Sequence, residues 1–305
     1  MTTKNNGIPS LDALKEQARQ IRRDVILMVN FARSGHSGGP LSAADYLTVL
    51  WFKYLRCNPQ NPFWERRDRF VLSNGHCSAL NYALLARRGF FNPGYLLTFR
   101  TLQSRLVGHP SREKLPFIEV STGSLGQGLS VAHGMALGAR LHGWDEVTIY
   151  CNCGDGELQE GACWEAITSA GHRKSQNLVL MVDYNNVQID GFLPEVKDLA
   201  PLAEKLRAFR WRVIEADGHD FEQIDDTFAR AKERTDKPTA ILFRTVMMKG
   251  CPSFENDPAW HGRPPTDDEA RQMLRELGFD DDLEAARASL GSREFYPAVP
   301  LEMLL

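Results

Sequence analysis

Five short runs dominated by apolar residues recur along the chain: Phe70-Val71-Leu72, Val147 to Cys151, Leu178 to Val182, Arg212 to Glu215 and Thr239 to Phe243. Runs of this length read as buried strands, and the stretches between them carry the three- and four-residue spacing of helices. Leu11, Leu14, Ala18, Ile21, Val25 and Met28 fall on one face of a long helix that Ser10 is placed to cap. Further helices are expected near Leu41 to Tyr54, Ser78 to Arg88, Gly126 to Leu141 and Trp164 to His172. Strands alternating with helices predict an α/β fold, a doubly wound, mostly parallel sheet with helices on both faces. Ligands of such sheets bind beyond the carboxyl ends of the strands, so the residues that follow each run matter most.

The 305 residues are enough for one large domain. It is expected over residues 11–290, after a polar N-terminal extension, residues 1–10, and before an apolar C-terminal tail, residues 291–305. Thr266-Asp267-Asp268-Glu269 behind Pro264-Pro265 is a capping box that starts one late helix, and a second is expected from about Asp282 to Leu290. A net charge of -3 and a pI near 6.3 give no reason to expect a nucleic acid or a membrane as partner. The apolar runs are too short to span a bilayer, and Met1 to Ser10 lacks a signal core. None of the six cysteines forms a C-x-x-C pair or a metal-binding spacing, which fits reduced structural thiols in a cytoplasmic protein.

Chemistry concentrates after two of the runs. Gly154-Asp155-Gly156-Glu157 follows one, and Asp183-Tyr184-Asn185-Asn186-Val187 follows the next, with Asp155 and Asn185 thirty positions apart. Gly-Asp-Gly alone is a common turn. A Rossmann loop is excluded because Gln159 stands where its third glycine belongs. No Walker motif is present. An acid between glycines, answered by an asparagine after the next strand, is instead suited to holding a diphosphate through a divalent cation. It is the arrangement expected of thiamine diphosphate enzymes. The Asp155 carboxylate, the Asn185 amide and a backbone carbonyl at Val187 are oxygen donors, which suit Mg²⁺ or Ca²⁺.

A glycine-rich segment, Ser121-Thr122-Gly123-Ser124-Leu125-Gly126-Gln127-Gly128, precedes a predicted helix and offers backbone amides to a polar ligand, although glycines also serve close packing. Four histidines lie in loops rich in Gly, Pro and Ser: His36, His76, His109 and His261. Imidazole suits proton movement near neutral pH. His133, His142, His172 and His219 lie on or beside helices and read as structural, with Asp220 placed to cap the helix after His219.

Gly154 to Gly161, the Asn185 loop, Ser34-Gly35-His36, Leu72-Ser73-Asn74-Gly75-His76, Ser121 to Gly128 and Trp260-His261-Gly262 together resemble the N-terminal, diphosphate-binding domain of transketolase. The likeness runs from about Leu11 to Leu277, with the motifs in family order. The Leu158-Gln159-Glu160-Gly161 continuation and the spread of histidines look like transketolase and unlike pyruvate dehydrogenase or deoxyxylulose-phosphate synthase. Ser37 and Gly38 depart from the Pro-Gly often found there.

The resemblance implies roles for individual residues. Asp155, Asn185 and the Val187 carbonyl would hold the metal. His76, Gly154, Gly156, Glu157, Ile189 and His261 would contact the cofactor, with Gly123, Ser124 and Leu125 lining its other side. His36, His76, His109 and His261 would serve proton transfer and orientation, and Glu160 would join a carboxylate relay at the subunit interface. The implied activity is transfer of a two-carbon ketol unit between sugar phosphates. A complete transketolase has further domains, including one that binds the aminopyrimidine. The resemblance is therefore to the N-terminal subunit of a split enzyme, whose partner is a C-terminal subunit carrying that domain, in two copies of each. Two other readings are an α subunit of a 2-oxoacid dehydrogenase, which would not need the histidine set, and a non-catalytic homologue, against which the intact site residues argue.

Overall fold

The computed structural model describes residues 8–304. Residues 1–7 of the expected N-terminal extension and Leu305 lie outside the described residues. Five parallel strands form the central sheet: β1 (Arg69–Leu72), β2 (Ile149–Gly154), β3 (Leu178–Tyr184), then, after the two-residue hairpin strands β4 (Val187–Gln188) and β5 (Gly191–Phe192), β6 (Arg212–Asp217) and β7 (Thr239–Arg244). Their spatial order is β1-β2-β3-β7-β6. The helices are α1 (Leu11–Ala32), α2 (Gly38–Val49), α3 (Ser78–Arg88), α4 (Gln127–Leu141), α5 (Gly161–His172), α6 (Leu193–Val196), α7 (Leu202–Ala208), α8 (Phe221–Lys232), α9 (Asp267–Glu276) and α10 (Leu283–Ala288).

Strand side chains alternate between two cores, as a pleated strand requires. Tyr150, Val179, Met181, Ile241 and Phe243 join α1, α2, α3 and α8 in one. Cys151, Leu178, Leu180, Val182, Ala240 and Leu242 join α4, α5 and α7 in the other. The sheet is thus covered on both faces, as expected. No helix among the described residues is long and apolar enough to cross a membrane.

Four of the five strands run past their apolar runs into polar residues. β2 reaches Gly154 because Asn152, fully buried, is matched by polar neighbours: Tyr46 donates to its Oδ1 at 2.8 Å, and its Nδ2 donates to Asn74 Oδ1 at 3.1 Å. β3 continues through Asp183 for the same reason. The helix expected over Leu41 to Tyr54 begins earlier, at Gly38, and its last turn, Leu50–Tyr54, widens to a π-helix. Ser10 caps α1, Thr266 and Glu269 form the predicted box on α9, and Asp220 and Asp282 cap α8 and α10.

Beyond α10 the chain folds back on the same domain. Ala298 donates to the Phe90 carbonyl at 2.9 Å, and the Phe295 ring packs tilted against Tyr95, with centroids 4.8 Å apart. Position 94 must be glycine for this docking, since a Cβ there would fall 2.1 Å from the Ser292 carbonyl oxygen.

Candidate functional site

The carboxyl ends of β1, β2 and β3 open into one cavity of about 380 Å³, within the size of a small-molecule site. His36, His76, His109, Gly123, Leu125, Gly154, Asp155, Gly156, Glu157, Glu160, Asn185, Val187, Ile189 and His261 all line it. Segments distant in sequence converge here because each follows a strand end or packs against one.

Asp155 stands immediately after β2 and is buried. Its Oδ1 accepts from the Gly156 amide at 2.8 Å and its Oδ2 from the Asn186 amide at 2.6 Å, which ties the loop after β2 to the loop after β3. Burial and the neighbouring Asp183 charge push its carboxyl up to about 8. Asp183 is also buried and accepts from Ser42 Oγ at 2.7 Å, Thr245 Oγ1 at 2.6 Å and Asn185 Nδ2 at 3.1 Å. The Asn185 carboxamide is thereby held against Asp183, and its Oδ1 accepts from the Val187 amide at 2.9 Å. Among the described residues no group of three or more His, Cys, Asp and Glu side chains is arranged for a metal ion.

Three imidazoles crowd together above the strand ends. Ring centroids lie 5.1 Å apart for His36 and His76, 5.2 Å for His76 and His261, and 5.8 Å for His36 and His261. Burial, and then the neighbouring imidazoles, with Arg100 beside His36, hold His36 down to about 4 and His76 to about 3. Burial also lowers His261 and His109. The cluster is neutral at pH 7. His36 Nδ1 is buried with no hydrogen-bond partner among the described residues. His109 faces the glycine-rich segment, its ring 3.4 Å from where a Cβ on Gly123 would sit.

The glycines of this region serve close approach. A Cβ on Gly75 would lie 2.9 Å from the Gly123 amide nitrogen, so the histidine loop after β1 and the glycine-rich loop meet backbone to backbone. Gly126 caps α4 in the left-handed region at φ 83° and packs 2.9 Å, at its Cβ position, from Glu160 Cβ. Both oxygens of the buried Glu157 are taken by protein groups. Oε1 accepts from Ser73 Oγ and from the Gly126 amide, and Oε2 accepts from the Gly154 amide. Glu157 therefore fastens the cavity's walls. Glu160 is exposed at the rim, and Ile189 is 68% exposed on the hairpin beside it. Ser124 differs from the expectation: it is exposed and does not line the cavity, because the turn into α4 directs its carbonyl toward the Gln127 amide.

Sequence reasoning left Asn74, Cys77 and Asp183 without roles, although all three line the cavity. Asp183 carried a usable signal, an acid interrupting the end of an apolar run. The four histidines read as structural remain outside the cavity; His133 bonds Ser175 at 3.1 Å, and His219 bonds Asp45 at 2.8 Å.

A covered parallel sheet with buried acids and neutral imidazoles over its carboxyl edge is the layout of α/β proteins that bind a ligand beyond their strand ends. Residues 14–288 match the family described as transketolase, thiamine diphosphate binding domain. The chain belongs to the transketolase family. It is 39% identical over 264 residues to the 6-deoxy-6-sulfo-D-fructose transketolase subunit SqwG of Clostridium sp. (strain MSTE9), covering 87% of this chain and 96% of that one. Identity to an apulose-4-phosphate transketolase subunit of Actinobacillus succinogenes is 36% over 269 residues, 88% of this chain and 97% of that one. The transketolase of Homo sapiens is 38% identical over 267 residues, but only 42% of its length is covered. The crystal structure of Campylobacter jejuni transketolase superposes with a TM-score of 0.82 at 36% identity, over 92% of this chain and 46% of that one. The chain thus spans nearly all of two relatives named as subunits and less than half of the longer transketolases.

Proposed function

We propose that the chain is the N-terminal subunit of a two-component transketolase, which moves a two-carbon ketol unit from a ketose phosphate to an aldose phosphate with thiamine diphosphate and a divalent cation. The observation that carries this reading is the gathering of Asp155, Asn185, Val187 and four loop histidines around one cavity. Residues 11–290 would be the diphosphate-binding domain and 291–305 a C-terminal tail. Two copies of this chain, with two of a C-terminal subunit bearing the pyrimidine-binding domain, would form the enzyme. Six free cysteines are consistent with work in the cytoplasm.

The residues present fit these groups. A buried carboxylate crowded by a second acid is relieved by a cation, and hard oxygen donors at Asp155, Asn185 and the Val187 carbonyl suit Mg²⁺ shared with a diphosphate. When bound, thiamine diphosphate supplies an electron sink for the transferred carbon unit. His76, Gly156 and His261 would hold the diphosphate end, and Gly123 and Leu125 the opposite wall. His36, which lines the cavity, would orient a sugar hydroxyl. His109 and His261 would orient and deprotonate the remaining hydroxyls, for which neutral imidazoles are in the required state.

The test is reconstitution. The purified chain alone is expected to give no ketol transfer, and addition of a pyrimidine-domain subunit is expected to produce it, followed with a panel of pentose, sulfo-sugar and apulose-type phosphate substrates. Robust turnover by the chain alone would end the two-component reading. His261→Ala is expected to slow the reconstituted enzyme by roughly 10²–10⁴-fold while moving the melting temperature by only a few degrees. A variant with normal specific activity and lost stability would make His261 structural.

A further inference from the structure

Behind the imidazoles, one arginine joins two loops distant in sequence. Arg100 donates from Nη1 to Ser34 Oγ at 2.9 Å and from Nη2 to the Gly108 carbonyl at 3.3 Å. Ser34 lies two residues before His36, and Gly108 immediately precedes His109. The backbone of Arg100 is left-handed, at φ 58°, which is unfavourable for a residue with a side chain. That turn is closed by the Arg100 amide bonding the Leu106 carbonyl at 2.8 Å. The preceding Phe99 ring occupies the space beside Gly35, where a Cβ would come within 2.9 Å of it. From α3, Ser78 Oγ bonds the Gly108 carbonyl at 2.8 Å and Tyr82 Oη the Val107 carbonyl at 2.8 Å, bracing the same loop.

Arg100 is not an ordinary surface cation. Both of its side-chain partners are neutral, a hydroxyl and a carbonyl, and its Nε is buried with no partner among the described residues. It does not line the cavity, so any effect on chemistry passes through the histidines. Its charge also opposes protonation of both His36 and His109.

We propose that Arg100 is a positioning residue of the site: its guanidinium fork ties the Ser34 loop to the Gly108 loop and so holds His36 and His109 in register across the cavity. A planar fork with divergent donors can make both bonds at once, whereas an ammonium group reaches one of them. The structural tie stands by itself; its consequence for turnover rests on the function proposed above.

The experiment uses Arg100→Met and Arg100→Lys, read in two ways. Imidazole NMR spectra of the histidine-labelled chain by itself should show the His36 and His109 signals shifted or broadened in both variants, with His133 and His219 unmoved as controls for folding. In the reconstituted enzyme, kcat should fall about 10²-fold in Arg100→Met, with the KM for the ketose changed by less than about threefold. Lysine should recover no more than about a tenth of the lost rate. Should the methionine variant fail to fold, the lysine variant carries both readings. Unmoved His36 and His109 signals would overturn the proposal, as would a raised KM with unchanged kcat, which would make Arg100 a direct anion-binding group. If no second subunit gives turnover, the transketolase reading fails while the imidazole spectra still decide the role of Arg100.

Discussion

Replacing Asp155 with alanine is expected to weaken Mg²⁺-dependent thiamine diphosphate binding by at least about 10²-fold, the loss seen when support for a metal ligand is removed. The carboxylate is the only charged member of the proposed donor set, so neither the Asn185 amide nor the Val187 carbonyl can replace it. The apo protein should suffer far less. Asp155 accepts amides from Gly156 and Asn186, and each lost hydrogen bond costs about 1 kcal/mol. Against that, the substitution removes a carboxyl that burial and Asp183 already disfavour in its charged form. The two effects oppose each other and leave the melting temperature within a few degrees of the parent. Asp155→Asn keeps the shape without the charge and should bind the cofactor as poorly as alanine does. Calorimetric titration with and without Mg²⁺ measures both variants, and unchanged affinity in either would remove the metal from this site.

The second large effect is a pH-dependent difference between the parent and His76→Gln. The folded-state value of His76 is held to about 3, against an ordinary 6.5. The unfolded chain therefore takes up a proton that the folded site refuses. The stability linked to neutral His76 is complete above about pH 6.5 and is lost as pH falls toward 3. Asp155 acts in the opposite direction, since its raised carboxyl makes the folded state hold a proton that the unfolded state releases. A single melting curve would mix the two signs, and the comparison isolates the imidazole. Between pH 7 and pH 4 the stability of the parent relative to His76→Gln should fall by on the order of a few kcal/mol. Denaturant titration of the apo proteins across that range measures it. A flat difference would mean that His76 is protonated in the fold as easily as in water.

How much of this was visible in the residues alone depends on whether a feature is local. The strands were legible because Leu178 to Val182 is a continuous apolar run and its counterparts carry short apolar stretches, and the caps at Ser10, Asp220 and Thr266 are fixed by neighbours within three positions. Strand ends were less legible, since Asn152 and Asp183 look like loop residues until Tyr46, Asn74, Ser42 and Thr245 supply their bonds. The lining of the cavity was legible where glycines flank the reactive side chain, as at Asp155, His36 and His76. It was not legible where the partner comes from another loop. Arg100 belongs to no motif and acquires its place only when the segments carrying Ser34 and Gly108 fold against it. The role of Glu157 was hidden for the same reason. Its sequence neighbours suggest a ligand contact, whereas its oxygens are already bonded to groups contributed by the segments at the ends of β1 and β2 and the start of α4.

That arrangement of Glu157 makes the edge of the sheet a cooperative unit. Withdrawing Ser73, Gly126 or Gly154 strips a donor from an enclosed carboxyl group and leaves a buried acceptor short of a partner. Local opening here is therefore expected to be concerted, with the histidine turn, the glycine ribbon and the acidic loop exchanging their amide protons together.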